Sequence, residues 1–254
     1  MILLKKKLGQ HFLNDKNIIN KIIKYVNPSC HDYFVEIGPG DGAITMPLSE
    51  KVKHLTIVEK DKRLIPILTN KLLKNRPVKI INEDVLKCNF QQKIRNNVRV
   101  IGNLPYNIST EIIFKILEIS KRIKDIHFMM QKEVVSRMVA KPGSKEYGRL
   151  SIMTQVYFNV KKLFDIPPTV FYPQPKVMSS YVYLSPKSLS FENKTHEKKF
   201  KQIVTAAFIG RRKMIKSSLR EIVKESDLIK LNINTNQRPE KMTIQNFLTI
   251  SNIL

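Results

Sequence analysis

The stretch that decides the fold reads Phe34-Val35-Glu36-Ile37-Gly38-Pro39-Gly40-Asp41-Gly42. A short apolar run breaks into a glycine-rich turn and a helical pattern follows to about residue 50, which predicts a strand, a tight turn and a helix. Dinucleotide enzymes seat a pyrophosphate with G-x-G-x-x-G at such a turn. The spacing here is G-x-G-x-G with an acid before it, which suits a nucleoside without phosphate better, although a plain tight turn is the alternative.

Strand and helix patterns alternate on both sides of this turn. Further apolar runs predict strands at 55–58, 78–81, 98–101 and 126–130, and helical spacing predicts helices at 18–26, 61–73, 110–119 and 150–158. Two late strands, 161–166 and 178–184, flank a proline-rich loop. We therefore predict an α/β fold with a mostly parallel, seven-stranded sheet whose terminal pair lies antiparallel at one edge.

The composition changes after Pro186. A polar stretch follows, and from about His196 to Leu254 the strong patterns are all helical. We predict a first domain over residues 1–185 and a small, all-helical C-terminal domain over 194–254.

The charge balance is strongly basic. The 254 residues carry 45 Lys plus Arg and 21 Asp plus Glu, a formal net charge of +24. Nucleic acid is the expected partner of so positive a surface. A genome rich in A and T also favours Lys, Ile and Asn codons, so base composition is an alternative explanation for part of the positive charge.

The cysteine and apolar patterns argue against a metal-binding, disulfide-rich or membrane protein. The two cysteines, Cys30 and Cys88, form no C-x-x-C pair, and no Cys/His cluster is present, so we expect no metal site and no disulfide scaffold. The basic first residues precede no apolar leader segment, and no run approaches a membrane span. We expect a cytoplasmic protein without a membrane partner.

Acidic residues follow two of the predicted strands. Ligands of open α/β sheets lie outside the carboxyl ends of the strands, and an acid about 20 residues after the glycine turn accepts ribose hydroxyls. Glu59 ends the second strand and is a candidate for that role, with a solvated charge as the alternative. Asp84 follows the third strand and is a candidate acceptor for a purine amine; Glu83 is the rival residue, and a turn-capping Asp is the alternative.

The fourth strand runs into Asn103-Leu104-Pro105-Tyr106. The exocyclic amine of adenine is a poor nucleophile because its lone pair is delocalised into the ring. The Asn103 side-chain carbonyl and the Leu104 main-chain carbonyl, restricted by Pro105, are acceptors that favour the positive charge developing on that nitrogen. Tyr106 offers a stacking face for an extruded base. A buried tyrosine after a strand is the alternative.

Two further segments support nucleic-acid binding. Phe171, in Phe171-Tyr172-Pro173-Gln174-Pro175-Lys176, is a candidate for the other face of a base sandwich, with core packing as the alternative. The basic run around Arg211, Arg212 and Lys213 is a candidate for phosphate binding, with a solvated helix face as the alternative.

The chain resembles a known family in segments that span most of its length. They are Leu8-Gly9-Gln10-His11-Phe12-Leu13, Val35-Glu36-Ile37-Gly38-Pro39-Gly40, Gly102-Asn103-Leu104-Pro105-Tyr106-Asn107-Ile108-Ser109-Thr110, Met130-Gln131-Lys132-Glu133-Val134, Tyr147-Gly148-Arg149-Leu150-Ser151, Phe171-Tyr172-Pro173-Gln174-Pro175-Lys176-Val177, and Ala206-Ala207-Phe208 with Arg211-Arg212-Lys213. In these the chain is similar to the small-subunit (16S) ribosomal RNA adenine-N6,N6-dimethyltransferases.

The resemblance implies a Rossmann-like, class I methyltransferase domain with a small helical domain. It implies dimethylation of two adjacent adenosines in a loop near the 3′ end of the 16S RNA, during maturation of the small subunit, with S-adenosylmethionine as donor. By motif position, the cofactor site would comprise His11, Leu13, Gly38, Glu59, Asp84 and Asn103. Residues from Asn103 to Tyr106 would present the amine, with Phe171 opposite. Asp41 and Lys60 depart from the family pattern, in which both positions are commonly apolar. We expect a monomer.

Three other functions remain open at this point. A large-subunit adenine dimethyltransferase of the macrolide-resistance type would share the chemistry. A small-subunit assembly factor that no longer methylates would need only the basic charge and the helical domain. An NAD-dependent oxidoreductase would need the G-x-G-x-x-G spacing, which the chain lacks.

Overall fold

A computed structural model describes residues 9–72, 76–188, 191–210 and 213–254. Its strands are β1 (Phe12–Leu13), β2 (Tyr33–Ile37), β3 (His54–Glu59), β4 (Val78–Asn82), β5 (Val98–Asn103), β6 (Ile123–Gln131), β7 (Phe158–Ile166), β8 (Phe171–Tyr172) and β9 (Ser179–Pro186). Its α-helices are α1 (Lys16–Val26), α2 (Thr45–Ser49), α3 (Leu64–Lys71), α4 (Phe90–Lys93), α5 (Ser109–Leu117), α6 (Lys132–Val139), α7 (Arg149–Gln155), α8 (Lys194–Ala207), α9 (Ile215–Leu219), α10 (Glu225–Lys230) and α11 (Ile244–Asn252).

The main sheet has seven strands in the order β4-β3-β2-β5-β6-β9-β7. The first five of these are parallel to their neighbours, and β9 is antiparallel to β6. The predicted α/β class, strand number and antiparallel strand at one end are thereby confirmed. The chain order reverses between β2 and β5, which is the position where open α/β sheets bind ligands.

Local sequence explains where the first helix begins and ends. The Asp15 side chain accepts a hydrogen bond from the Ile18 N–H at 2.9 Å and caps α1. Asn27 ends the helix with a left-handed backbone (φ 45°), as Asn tolerates, and Pro28 follows. Ile22 and Val26 are buried on the inner face of α1, so the helix and its burial agree with the sequence.

Several elements differ from the prediction. Helix α3 begins at Leu64 rather than 61, because Pro66 lacks an N–H and fits the first turn of a helix; its predicted end at Leu73 lies outside the described residues. Helix α7 ends at Gln155, and Phe158 already belongs to β7, where aromatic and β-branched residues favour extended backbone. The sequence analysis had not predicted α4, α6 or the two-stranded sheet of β1 and β8.

The chain forms two compact units. One comprises the described residues of 1–135 and 161–186, and the other those of 136–160 and 187–254. In the second unit the Tyr157 hydroxyl donates to Glu197 on α8 at 2.6 Å, which ties residues 136–160 to the C-terminal helices. The sequence had assigned 136–160 to the first domain, and the domains at 1–185 and 194–254 stay a prediction.

A buried ion cluster joins the amino ends of three strands to the end of α1. The Arg99 guanidinium donates to Asp125 on β6 at 2.9 Å and to Asp32, before β2, at 2.7 Å. It also donates to the main-chain carbonyls of Val26 (2.6 Å) and Asn27 (3.3 Å), which the helix end leaves without intrahelical partners. All three charged side chains are less than a tenth exposed, so each depends on its partners for solvation.

We expect Arg99→Met to lower the free energy of unfolding by about 3–5 kcal/mol, because it leaves Asp125 buried beside no cation. Urea unfolding measures the loss. Lys115→Met is the matched control, since it removes a partly exposed ion pair with Glu118 (3.0 Å), and it should cost less than about 1 kcal/mol. Equal losses in the two variants would contradict the assigned role of the cluster.

Candidate active site

A cavity lies at the carboxyl ends of β2, β3, β4 and β5 in the first unit. Its lining includes the glycine turn after β2, Glu59 at the end of β3, Asp84 beyond β4, and the segment from Asn103 to Ile108 beyond β5. The structure thus brings together the strand-end residues that the sequence analysis selected. Residues 9–13 of the N-terminal segment also line it.

The glycine turn holds two residues in backbone conformations that side chains disfavour. Gly38 and Gly40 have φ values of 65° and 60°. A Cβ atom at Gly40 would lie 2.9 Å from the ring of Phe12, so this glycine also lets the N-terminal segment close over the turn. The residues therefore form the tight turn that the glycine spacing predicted, and the turn packs closely against Phe12.

Glu59 is buried at the end of β3, with 6% of its surface exposed. Its Oε1 atom accepts a hydrogen bond from the Asp61 N–H at 2.7 Å. Burial raises the pKa of Glu59 above its usual value, although main-chain donors at Asp61 and Gly40 oppose the rise. A buried carboxylate in this position would be stabilised by a hydroxyl group that donated a hydrogen bond to it from within the cavity.

Glu36, on β2, is a cavity residue that the sequence analysis did not select. It is 2% exposed, and its Oε2 atom makes no hydrogen bond to the described residues. Burial raises its pKa from 4.5 to about 8. The signal in the sequence was the acid two residues before Gly38, in a strand that is otherwise apolar.

Asp84 lines the cavity beside Lys60. The Lys60 Nζ atom lies 2.7 Å from Asp84 Oδ2, and the Leu86 N–H donates to Asp84 Oδ1 at 3.0 Å. The ion pair with Lys60 lowers the pKa of Asp84, so this side chain is an acceptor. Lys60, which departs from the family pattern, thus fixes the carboxylate selected for the purine amine. Glu83, the rival residue, also lines the cavity and pairs with Lys93.

The Asn103 amide has a fixed orientation. Its Nδ2 group donates to the main-chain carbonyl of His11 at 2.8 Å, which directs the Oδ1 atom to act as the acceptor. The next peptide is fixed as well, since the Leu104 N–H donates to the Met129 carbonyl at 3.0 Å and Leu104 is 1% exposed. The strand end therefore offers a positioned neutral oxygen, the group expected from the sequence.

Tyr106 stands beside His11. Their rings stack at a centroid distance of 5.2 Å, and the Tyr106 hydroxyl is hydrogen-bonded to Ser179 Oγ. Burial raises the pKa of Tyr106, so the phenol is neutral at physiological pH. His11 therefore covers one face of the Tyr106 ring, and the stacking of a base on this tyrosine stays a prediction.

Strands β1 and β8 place the family residues that sequence reasoning alone would have missed. His11 Nδ1 lies 2.6 Å from the main-chain oxygen of Pro173, just after β8. Leu13 lines the cavity and is 4% exposed. Only the resemblance pointed to either residue, because their surroundings come from a segment more than 150 positions away.

Phe171 lies in the core of the first unit, and the basic run is described only in part. Phe171 is 3% exposed, lies opposite Leu13 in the β1–β8 pair and belongs to the core rather than to the cavity lining. The core alternative accounts for its position, and its role as a base-facing ring stays a prediction. Lys213 is exposed in the second unit, whereas Arg211 and Arg212 lie outside the described residues.

The described residues hold no group of three or more His, Cys, Asp or Glu side chains arranged to bind a metal ion. The expected absence of a metal stays a prediction.

Comparison with known proteins agrees with this geometry. The ribosomal RNA adenine dimethylase family matches residues 1–254. The chain belongs to that family. Members of this dimethylase family are S-adenosylmethionine-dependent methyltransferases, and so is this chain.

Two relatives resemble this family member along nearly its whole length. The "Ribosomal RNA small subunit methyltransferase A" of Saccharophagus degradans is 43% identical over 252 residues, covering 98% of this chain and 94% of the relative. The protein of the same name from Aromatoleum aromaticum is 44% identical over 250 residues, with coverages of 98% and 94%.

Solved structures show the same fold. A dimethyladenosine transferase from Plasmodium falciparum superposes with a TM-score of 0.82 at 24% identity, covering 94% of this chain and 96% of that one. The 23S rRNA methyltransferase ErmE has a TM-score of 0.71 at 22% identity, with coverages of 95% and 98%. Among the described residues, none of the helices is long and apolar enough to cross a membrane.

The raised pKa of Glu36 predicts a pH-dependent stability. The folded protein keeps the Glu36 proton up to about pH 8, whereas the unfolded chain releases it near pH 4.5, so stability falls as pH rises between these values. Relative to Glu36→Gln, we expect the wild type to lose about 2 kcal/mol of unfolding free energy between pH 5 and pH 7. Urea unfolding of both proteins across this range is the measurement, and parallel pH profiles would contradict the prediction.

Proposed function

We propose that the protein transfers methyl groups from S-adenosylmethionine to N6 of two adjacent adenosines in a loop near the 3′ end of 16S ribosomal RNA. The observation that carries the proposal is the Asn103 amide, which lines the cavity and whose NH2 group is bound to the His11 carbonyl, so that its oxygen is the atom left to accept a hydrogen bond. Family membership and the small-subunit names of both relatives support the substrate.

The cavity residues fit the donor. S-adenosylmethionine carries an ammonium group, ribose hydroxyls, an adenine amine and a sulfonium that supplies the methyl group. Glu36 has an unpartnered carboxyl oxygen, and we assign it to the ammonium; Glu59 and Asp84 would accept from the hydroxyls and the amine. Gly38 and Leu13 would form apolar and main-chain walls.

The charge of the cavity separates this donor from a dinucleotide. Among the described residues, five acidic side chains line it, namely Glu36, Asp41, Glu59, Glu83 and Asp84, against one Lys or Arg, Lys60. Glu36 keeps its proton up to about pH 8 and adds no charge at neutral pH, but the other four acids repel the pyrophosphate of NAD and attract a ligand with positive charge. The acidic lining and the G-x-G-x-G spacing therefore both disfavour the oxidoreductase alternative.

Asn103 would act on the amine without removing a proton from the base. An amide oxygen accepts a hydrogen bond from the amine and stabilises the positive charge that grows on nitrogen as the methyl group is received. The Leu104 carbonyl is the second acceptor in this proposal, and the Tyr106 ring, which lines the cavity, holds the base by stacking. The neutral Tyr106 phenol is not needed as a base.

The remaining parts of the proposal concern RNA and assembly. The net charge of +24 supports binding of the small subunit or its precursor, with Lys213 and its neighbours Arg211 and Arg212 as phosphate contacts. We propose that the protein acts as a monomer in the cytoplasm and uses no metal.

The test is methyl transfer from labelled S-adenosylmethionine to small subunits that lack the modification, with large subunits and DNA in parallel. We expect label in dimethyladenosine near the 3′ end of the small-subunit RNA. Label on large subunits would instead support the macrolide-resistance activity. Tight binding to small subunits without label would support the assembly-factor alternative.

Replacing Asn103 separates chemistry from binding. We expect Asn103→Ala to lower kcat on the order of 100-fold, because it removes an acceptor that acts most strongly in the transition state. The Kd of S-adenosylmethionine should change by less than about five-fold, measured by calorimetry on the same preparation. A collapse of cofactor binding with little further loss of turnover would overturn the assigned role.

A further inference from the structure

The two-stranded sheet of β1 and β8 has one buried and one open face. Leu13 and Phe171 lie opposite each other and are 4% and 3% exposed. Phe12 and Tyr172 form the other pair. Directly opposed residues of an antiparallel pair point to the same side, so Phe12 and Tyr172 share the face opposite to Leu13 and Phe171.

This open face belongs to the wall of the active-site cavity. Phe12 lines the cavity and its ring touches the glycine turn at Gly40. The next residue along β8, Pro173, is bonded through its main-chain oxygen to His11, whose ring stacks on Tyr106. Tyr172 is therefore paired with one cavity residue, Phe12, and directly precedes the residue that holds another, His11.

Tyr172 is unusually exposed for its size, with 56% of its surface accessible to solvent, while its backbone is fixed. Strand pairing with Phe12 holds the residue itself, and the Pro173–His11 bond holds the next one. An aromatic ring on a rigid backbone loses little entropy on binding, since only two side-chain torsions need to be fixed.

We propose that Tyr172 is a substrate-positioning residue that stacks on an unpaired RNA base next to the target adenosine. The inference rests on the proposed function. Unpaired bases are recognised by stacking on exposed aromatic side chains within a positively charged surface. The exposed Lys176, four residues further along the chain, supplies positive charge for the phosphates of the same RNA segment. Tyr172, rather than the buried Phe171, is the ring of this turn that RNA can reach.

Steady-state methylation of unmodified small subunits tests the proposal with four variants. Tyr172→Ala should raise KM for the subunit about 10-fold, within the range of 1–3 kcal/mol per stacked base, and change kcat less than about three-fold. Tyr172→Phe keeps the ring and should restore KM to near the wild-type value. The Kd of S-adenosylmethionine should stay constant in both.

Two controls distinguish stacking by Tyr172 from the effect of removing any exposed tyrosine or of disturbing the core. Tyr25→Ala removes another exposed tyrosine, 47% accessible and located on α1, and should leave KM unchanged. Phe171→Leu keeps an apolar core side chain but removes the aromatic ring, and its KM should rise less than that of Tyr172→Ala. Thermal unfolding of each variant verifies that it is folded.

The proposal is overturned if Tyr172→Ala leaves KM unchanged, if Tyr172→Phe is equally impaired, or if Phe171→Leu alone raises KM. In each of these cases the proposed function still stands, provided that the wild-type protein methylates small subunits. A wild-type protein without activity on small subunits overturns both.

Discussion

The parallel hydrogen-bond ladder between β2 and β5 is the constraint on which the active site depends. It pairs Ile37 with Gly102 and sets the glycine turn beside Asn103 at one edge of the sheet. A Cβ atom at Gly102 would lie 2.6 Å from the Ile37 carbonyl oxygen, so the two strands approach this closely only because residue 102 has no side chain. Pairing of β3 with β2 and of β4 with β3 then brings Glu59 and Asp84 to the same edge.

Much of this arrangement could be predicted from the sequence, because it depends on local patterns. Apolar runs gave the strands, glycine spacing gave the turn, and the rule that ligands lie at carboxyl ends selected Glu59, Asp84 and Asn103. The start of α3 was misjudged because periodicity ignores where a proline fits within a helix. Helix α6 is preceded by Gln131, which is not one of the preferred N-cap residue types, so the sequence did not mark its start.

The remainder depends on contacts between distant segments. His11 and Phe171 owe their places to the pairing of β1 with β8, two strands of two residues each, which is too short a pattern to read from sequence. The role of Glu36 depends on its surroundings, since burial, with a smaller contribution from the nearby Glu59, raises its pKa to about 8. The same acid in an exposed strand would have a pKa near the usual value for Glu and would be ionised at neutral pH. Sequence therefore indicated which residues carry chemistry more reliably than how their surroundings modify them.

The pairing of β1 with β8 also has a consequence for the order in which the enzyme is made. His11 and the Pro173 oxygen are separated by 162 positions, so a growing chain exposes the first partner long before the second exists. Closing so long a loop is slow and entropically costly, and it gains support only after the strands between have folded. The wall that holds His11, and through it the Asn103 amide, is thus completed late in synthesis. A chain released before residue 173 would lack the oxygen that holds the ring of His11, the residue whose carbonyl orients the Asn103 amide.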